Sequence, residues 1–158
     1  MEAIATMISA IVAAVALVLT YVQFRKRVKI EHAQQVLKMQ ESTRNEEIVA
    51  FFRMIDYGEN RGWYNGFHEN EKLERMVDNA LLLYNYIFYL HRQSLLDSKE
   101  FSYFLYEIDK IVSNEDIKHY FLFLQQYTKQ NGLPFKYEHL IHYGIEKGLL
   151  KPESFDLK

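Results

Sequence analysis

The chain contains no cysteine. That excludes disulfides, thiolate metal sites and a cysteine nucleophile, so noncovalent packing must hold any fold together. Helix-breaking residues are scarce too, with 2 prolines and 6 glycines in 158 residues, which favours long regular elements over disordered or low-complexity chain. A Walker loop, a dinucleotide-binding glycine fingerprint and a GxSxG elbow are all missing, leaving enzymes of those classes without support. No segment alternates apolar and polar residues between turn signals as a half-buried strand does.

The balance of charge changes sign along the chain. The formal net charge is -2, but Glu2 against Arg25, Lys26, Arg27 and Lys29 makes the first thirty residues about +3 and leaves about -5 for the rest. An acidic domain cannot neutralise a phosphate backbone, so general DNA or RNA binding is not expected. The chain as a whole is 49% hydrophobic and 15% aromatic, enough for a dense core in one domain of ordinary size plus an accessory element.

That accessory element lies at the start. From Ala3 to Phe24 no residue is charged, a run of about 22 positions that as a helix spans ~33 Å, against a bilayer core of roughly 30 Å. A cleaved signal peptide carries its positive charge before the apolar run; here Glu2 precedes it and the basic cluster follows. The expectation is an uncleaved single-pass anchor over residues 1–24, with the N-terminus outside and the rest in the cytoplasm. A signal peptide and a buried helix are the competing readings. Ala5, Ser9 and Ala13 form a line of small residues and Thr6, Ala10 and Ala14 its neighbour. Such lines allow close helix approach in lipid and suggest a homo-oligomer, although an alanine-rich anchor without GxxxG explains them equally well.

The expected architecture is all-α: the transmembrane helix, a basic stop and stalk helix over residues 25–42, and a cytosolic bundle of about five helices over residues 43–158. In the stalk, Ile30, Ala33, Val36, Leu37 and Met39 approximate one helical face. Thr43 with Glu46 reads as a capping box, followed by an apolar face of Ile48, Val49, Phe51, Phe52 and Ile55 that ends before Gly58; a continuous helix through Thr43 is the alternative. A helix after Asn70 carries Leu73, Met76, Val77, Ala80, Leu81, Tyr84, Ile87 and Phe88. Its uncharged run, Asn79 to Leu90, is too short for a second span and includes Asn85. Asp97 with Glu100 caps a helix bearing Phe101, Phe104, Leu105, Ile108 and Ile111; Ser113 with Asp116 opens another, closed by Gly132 and Pro134. A last helix covers Lys136 to Lys147 and stops at Gly148.

The stretch YGENRGWYNGFHEN, Tyr57 to Asn70, holds three of the glycines and the single tryptophan. It reads as a loop in which Arg61, Trp63, Tyr64 and His68 are the candidate ligand-binding residues: a guanidinium for a phosphate, rings to stack on a base and an imidazole. The competing reading is a loop whose aromatics plug the bundle. His139, His142 and Glu146, at i, i+3 and i+7, have donor types that zinc accepts, yet without HExxH spacing they read as surface histidines. His91 and His119 read as satisfied edge or core histidines. No metal and no cofactor is expected.

Arg61 and His68, with six residues between them, resemble the Arg-x4-6-His motif of HEPN-type ribonucleases, with Gly62 in place of the usual polar residue. That resemblance implies a phosphate-stabilising Arg and an acid-base His in a small helical dimer. The layout as a whole, ending in PFKYEHLIHYGIEKGLL, resembles small bacterial single-pass membrane proteins of unknown function, some encoded near phage-defence systems. It is also similar in organisation to membrane effectors of CRISPR and cyclic-nucleotide defence. The latter resemblance implies an oligomeric, noncatalytic membrane effector or sensor whose cytosolic domain binds a signalling nucleotide. A membrane-tethered adaptor for a protein partner is the alternative, since an interface loop also favours Trp, Tyr and Arg.

Overall fold

A computed structural model of the chain describes residues 2–58, 63 and 70–155, with the backbone alone for residues 2–14. The described residues are all α-helical or irregular, with no strand among them. They divide into two units, Met1–Met39 and Gln40–Lys158.

Helix α1 runs unbroken from Glu2 to Thr43. Its middle is stitched by local contacts: Thr20 donates to the Ala16 carbonyl at 2.8 Å, Arg25 Nε donates to the Tyr21 hydroxyl at 2.9 Å, and Arg27 pairs with Glu31 at 2.8 Å. Among the described residues no helix is long and apolar enough to cross a membrane. Over half of the expected anchor, residues 1–14 with their small-residue lines, has side chains outside those described.

The second unit opens with α2, Glu46–Tyr57. Its cap is Asn45, whose Oδ1 accepts the Glu47 N–H at 3.0 Å, and not Thr43. The Thr43 hydroxyl instead turns back to the Gln40 carbonyl at 2.8 Å, which closes α1 and moves the break two residues downstream. Ile48, Phe51 and Met54 form the buried face, while Val49 is exposed. Gly58 ends the helix at φ 62° and returns its N–H to the Met54 carbonyl, a left-handed cap that favours glycine.

Helix α3, Glu71–Arg92, is the central element. Asn70 caps it by accepting the Leu73 N–H at 3.1 Å, and Val77, Ala80, Leu81, Tyr84, Ile87 and Phe88 face inward. Next come the short α4, Ser98–Phe101, a 3-10 turn at Ser102–Phe104, α5 at Leu105–Ser113, α6 at Glu115–Gln130 and α7 at Glu138–Glu146. α3 lies against α2, α4 and α7, and α5 packs on both α6 and α7. Phe88 links three of these elements, with ring centroids 5.8 Å from Phe101 and 5.1 Å from Tyr143.

Asp97 and Glu100 form the expected capping box at 2.8 and 3.0 Å. The helix they open is not continuous, however. The Ser102 hydroxyl donates to the Lys99 carbonyl at 2.6 Å, and the tighter 3-10 turn aligns Phe101 with Phe104 so that both are buried. The cap of α6 is Asn114, which accepts the Ile117 N–H at 3.0 Å; Ser113 is spent on the Asp109 carbonyl at 2.6 Å. α7 starts at Glu138, two residues later than expected.

Candidate functional site

The late start of α7 is set by a residue from α3. Asn85, only 9% exposed, donates to the Lys136 carbonyl at 3.0 Å and accepts the Leu140 N–H at 3.1 Å. Leu140 lies in the first turn of α7, whose preceding residue Tyr137 makes no side-chain cap bond. Asn85 therefore caps α7 from a different helix and holds the 133–137 segment in an irregular path.

That path leaves a groove. Its floor is the α3 turn bearing Glu74 and Asp78, one wall is α6 with Leu124, Tyr127 and Thr128, and the other is Leu133, Pro134, Phe135 and Lys136; the opening is about 510 Å³. Two buried phenols meet at the floor: Tyr120 donates to Asp78 Oδ1 at 2.9 Å and Tyr137 donates to the same oxygen at 2.6 Å. Burial, reinforced by the Asp78 carboxylate, pushes both phenols well above the usual tyrosine range. They stay protonated and act as fixed donors.

Of the expected loop residues, Trp63 is described: its ring lies 4.5 Å from Tyr120, tilted by 56°. Beside it, Met54, Ile55, Gly58, Asn114, Asp116 and Ile117 leave only about 10 Å³, too little for an organic ligand. Arg61, Tyr64 and His68 lie outside the described residues, and with them the ribonuclease-like pair.

His91 and His139 are placed by packing, and His119, expected at an edge or in the core, is exposed. His91 Nδ1 lies 3.0 Å from the Leu96 carbonyl, with its ring stacked on Phe101 at 4.1 Å. His139 lies 5.0 Å from the Tyr89 ring, and burial lowers its pKa. His142 Nε2 lies 3.5 Å from Glu138 and Glu146 lies 4.0 Å from Arg92. Among the described residues, no group of three His, Asp or Glu side chains is placed to hold a metal ion.

A second opening at the end of α2 and the start of α6 has an acidic lining. There Asp56 is already bound by Lys110 at 2.5 Å and Glu115 by Lys118 at 2.8 Å. The α3–α6 groove is thus the better candidate site. Asp78, Tyr120 and Tyr137 were missed by sequence reasoning because Asp78 lies 42 and 59 positions from its two partners. No protein-family model, curated protein or solved structure matches the chain.

Proposed function

We propose that this protein is a single-pass, oligomeric membrane sensor: residues 3–24 tether it, and the helical unit beginning at Gln40 binds a small ligand on the cytoplasmic side. One observation carries the tether. Leu17, Val18, Leu19, Tyr21, Val22 and Phe24 cover more than half of the circumference of α1 with apolar side chains that are each at least 44% exposed, and the basic turn Arg25–Lys29 follows at once. So wide an apolar face needs an apolar surrounding, and cationic flanks stay on the cytoplasmic side. The groove supports ligand binding, because small-molecule sites are concave, largely apolar and carry a few fixed polar groups.

The signalling-nucleotide expectation belongs to the loop of Arg61, Trp63, Tyr64 and His68. The carboxylates of the groove would repel a phosphate. Ligand control of the anchors further requires that the ligand prefer one arrangement of them.

Cell fractionation tests the tether: the full chain should stay in the membrane pellet through an alkaline carbonate wash, and deletion of residues 3–24 should release it. Full chain recovered in the soluble fraction would sink the proposal. Thermal stability against cyclic oligonucleotides and mononucleotides tests the nucleotide reading, since a ligand at 100 times its dissociation constant stabilises by about 2.7 kcal/mol.

The adaptor reading also has an observation behind it. Leu82, Tyr86 and Tyr89 lie along one side of α3 and are exposed, as are Tyr103 and Tyr106; exposed tyrosines are common anchors in protein interfaces. Stoichiometric co-purification of a protein partner, lost in Tyr86→Glu, would favour it.

A further inference from the structure

We propose that one side of α1 is a seat for an anionic phospholipid, its headgroup held between Arg25, Lys26 and Lys29 and an acyl chain lying along Val18 and Val22. This rests on the membrane-tether reading above and names a lipid partner for it.

The cations of the basic turn are not equivalent. At about 100° of rotation per residue, Arg25, Lys26 and Lys29 share an arc of roughly 100°, whereas Arg27 and Glu31 fall on the opposite side of the helix. There Arg27 is neutralised by Glu31 at 2.8 Å. Among the described residues no acidic side chain pairs with Lys26 or Lys29. Arg25 is steadied by the Tyr21 hydroxyl, which accepts from Nε at 2.9 Å, with the guanidinium 5.5 Å from the ring centroid. Its two terminal nitrogens remain for an anion. Arg25, Lys26 and Lys29 are all exposed. Like charges three and four residues apart repel on a helix surface, and an anion seated between them removes that repulsion.

Directly before these cations, the same side of the helix is apolar. Val18, Tyr21 and Val22 are 62%, 57% and 44% exposed, and Val22 and Val18 stand roughly two and three turns before Lys29. The strip from Val18 to Lys29 is ~17 Å long, against ~20 Å for one leaflet with its headgroups. A nucleic acid or a free phosphate would use the cations and leave the apolar side chains bare. A neutral lipid would cover the apolar side chains and leave the cations repelling one another. An anionic phospholipid complements both in the order in which they stand, with the Tyr21 ring at the boundary where aromatic side chains are favoured.

The test is a titration of the full chain in detergent micelles with phosphatidylglycerol and with phosphatidylcholine, read by thermophoresis. Phosphatidylglycerol should bind at least about tenfold more tightly. Glycerol phosphate, which carries the charge without the chains, should not displace it. Lys29→Gln and Arg27→Gln change the net charge equally, yet the first should weaken phosphatidylglycerol binding by about fivefold and the second by less than about twofold. Glutamine matches lysine in helix propensity, and circular dichroism checks that both variants keep their helix.

Equal affinity for the two lipids overturns the proposal, as does displacement by glycerol phosphate, which would make the turn a site for free phosphate. Equal losses in the two variants would show a diffuse attraction with no preferred side and overturn it too. The tether is read separately by fractionation. Full chain in the soluble fraction overturns the tether and the lipid seat together, whereas a tethered chain without anionic preference overturns the lipid seat alone.

Discussion

Asn85 shows how much one side chain can decide in this protein. Buried polar groups are tolerated only when paired, and Asn85 uses its donor on Lys136 and its acceptor on Leu140. Removing it would leave the buried Leu140 N–H and the part-buried Lys136 carbonyl without these partners. Asn85→Ala should therefore destabilise the chain by about 2–4 kcal/mol, combining two lost hydrogen bonds with the desolvation left behind. Urea unfolding measures this, and a cost under about 0.5 kcal/mol would show that water replaces both bonds. The sequence marks Asn85 as a polar interruption in an apolar run but cannot show its partners, because they lie 51 and 55 positions away.

At the scale of the helices, local chemistry set most boundaries. Asn70, the Asp97–Glu100 box, Gly58 and Gly148 were legible because a cap bonds to backbone within its own turn. Errors arose where two cap-type residues stand close together. Thr43 competes with Asn45, and Ser113 competes with Asn114; in each pair the hydroxyl bonds back to the preceding helix and the amide caps the next. Asn114→Ala should accordingly cost about 1 kcal/mol, and Ser113→Ala only a few tenths. The reverse order in chemical denaturation would restore Ser113 as the cap.

Gly144 raises a different question of element packing. A methyl group there would come within 2.6 Å of Leu150 Cδ1 and 2.7 Å of its Cγ, and Leu150 is 5% exposed. Helix propensity favours alanine by roughly 1 kcal/mol, but overpacking costs about 1–3 kcal/mol. With Cγ as well as the side-chain tip in the way, overpacking should win. Gly144→Ala should lower the melting temperature, and adding Leu150→Ala should cost less in that background than in the native chain. Strict additivity of the two substitutions would remove the contact from consideration.

For the whole molecule, the dominant feature is a core built with tyrosine. Tyr84, Tyr120, Tyr137 and Tyr143 are buried, and burial is the first cause raising each phenol above its ordinary value of 10.0. The unfolded chain loses these protons near pH 10 whereas the folded chain keeps them. Their contribution to stability is therefore complete below pH 10 and is lost progressively as pH rises beyond it. The urea midpoint should fall steeply above pH 10, with the last tyrosinate absorbance appearing together with loss of helical circular dichroism. Ionisation of all 12 tyrosines with the helical signal intact would contradict this account of the core.

The sequence by itself determined the helical class, most helix ends and the apolar faces of α2 and α3. Those features depend on residues three or four positions apart, whose spacing matches the turn of a helix. Only the tertiary structure decided that Asn85 would cap α7, that α4 and α5 would be separated by a 3-10 turn, and that Asp78 would receive Tyr120 and Tyr137 beside an open groove. These depend on which faces meet and how the 133–137 segment returns across α3, and no local periodicity encodes that choice.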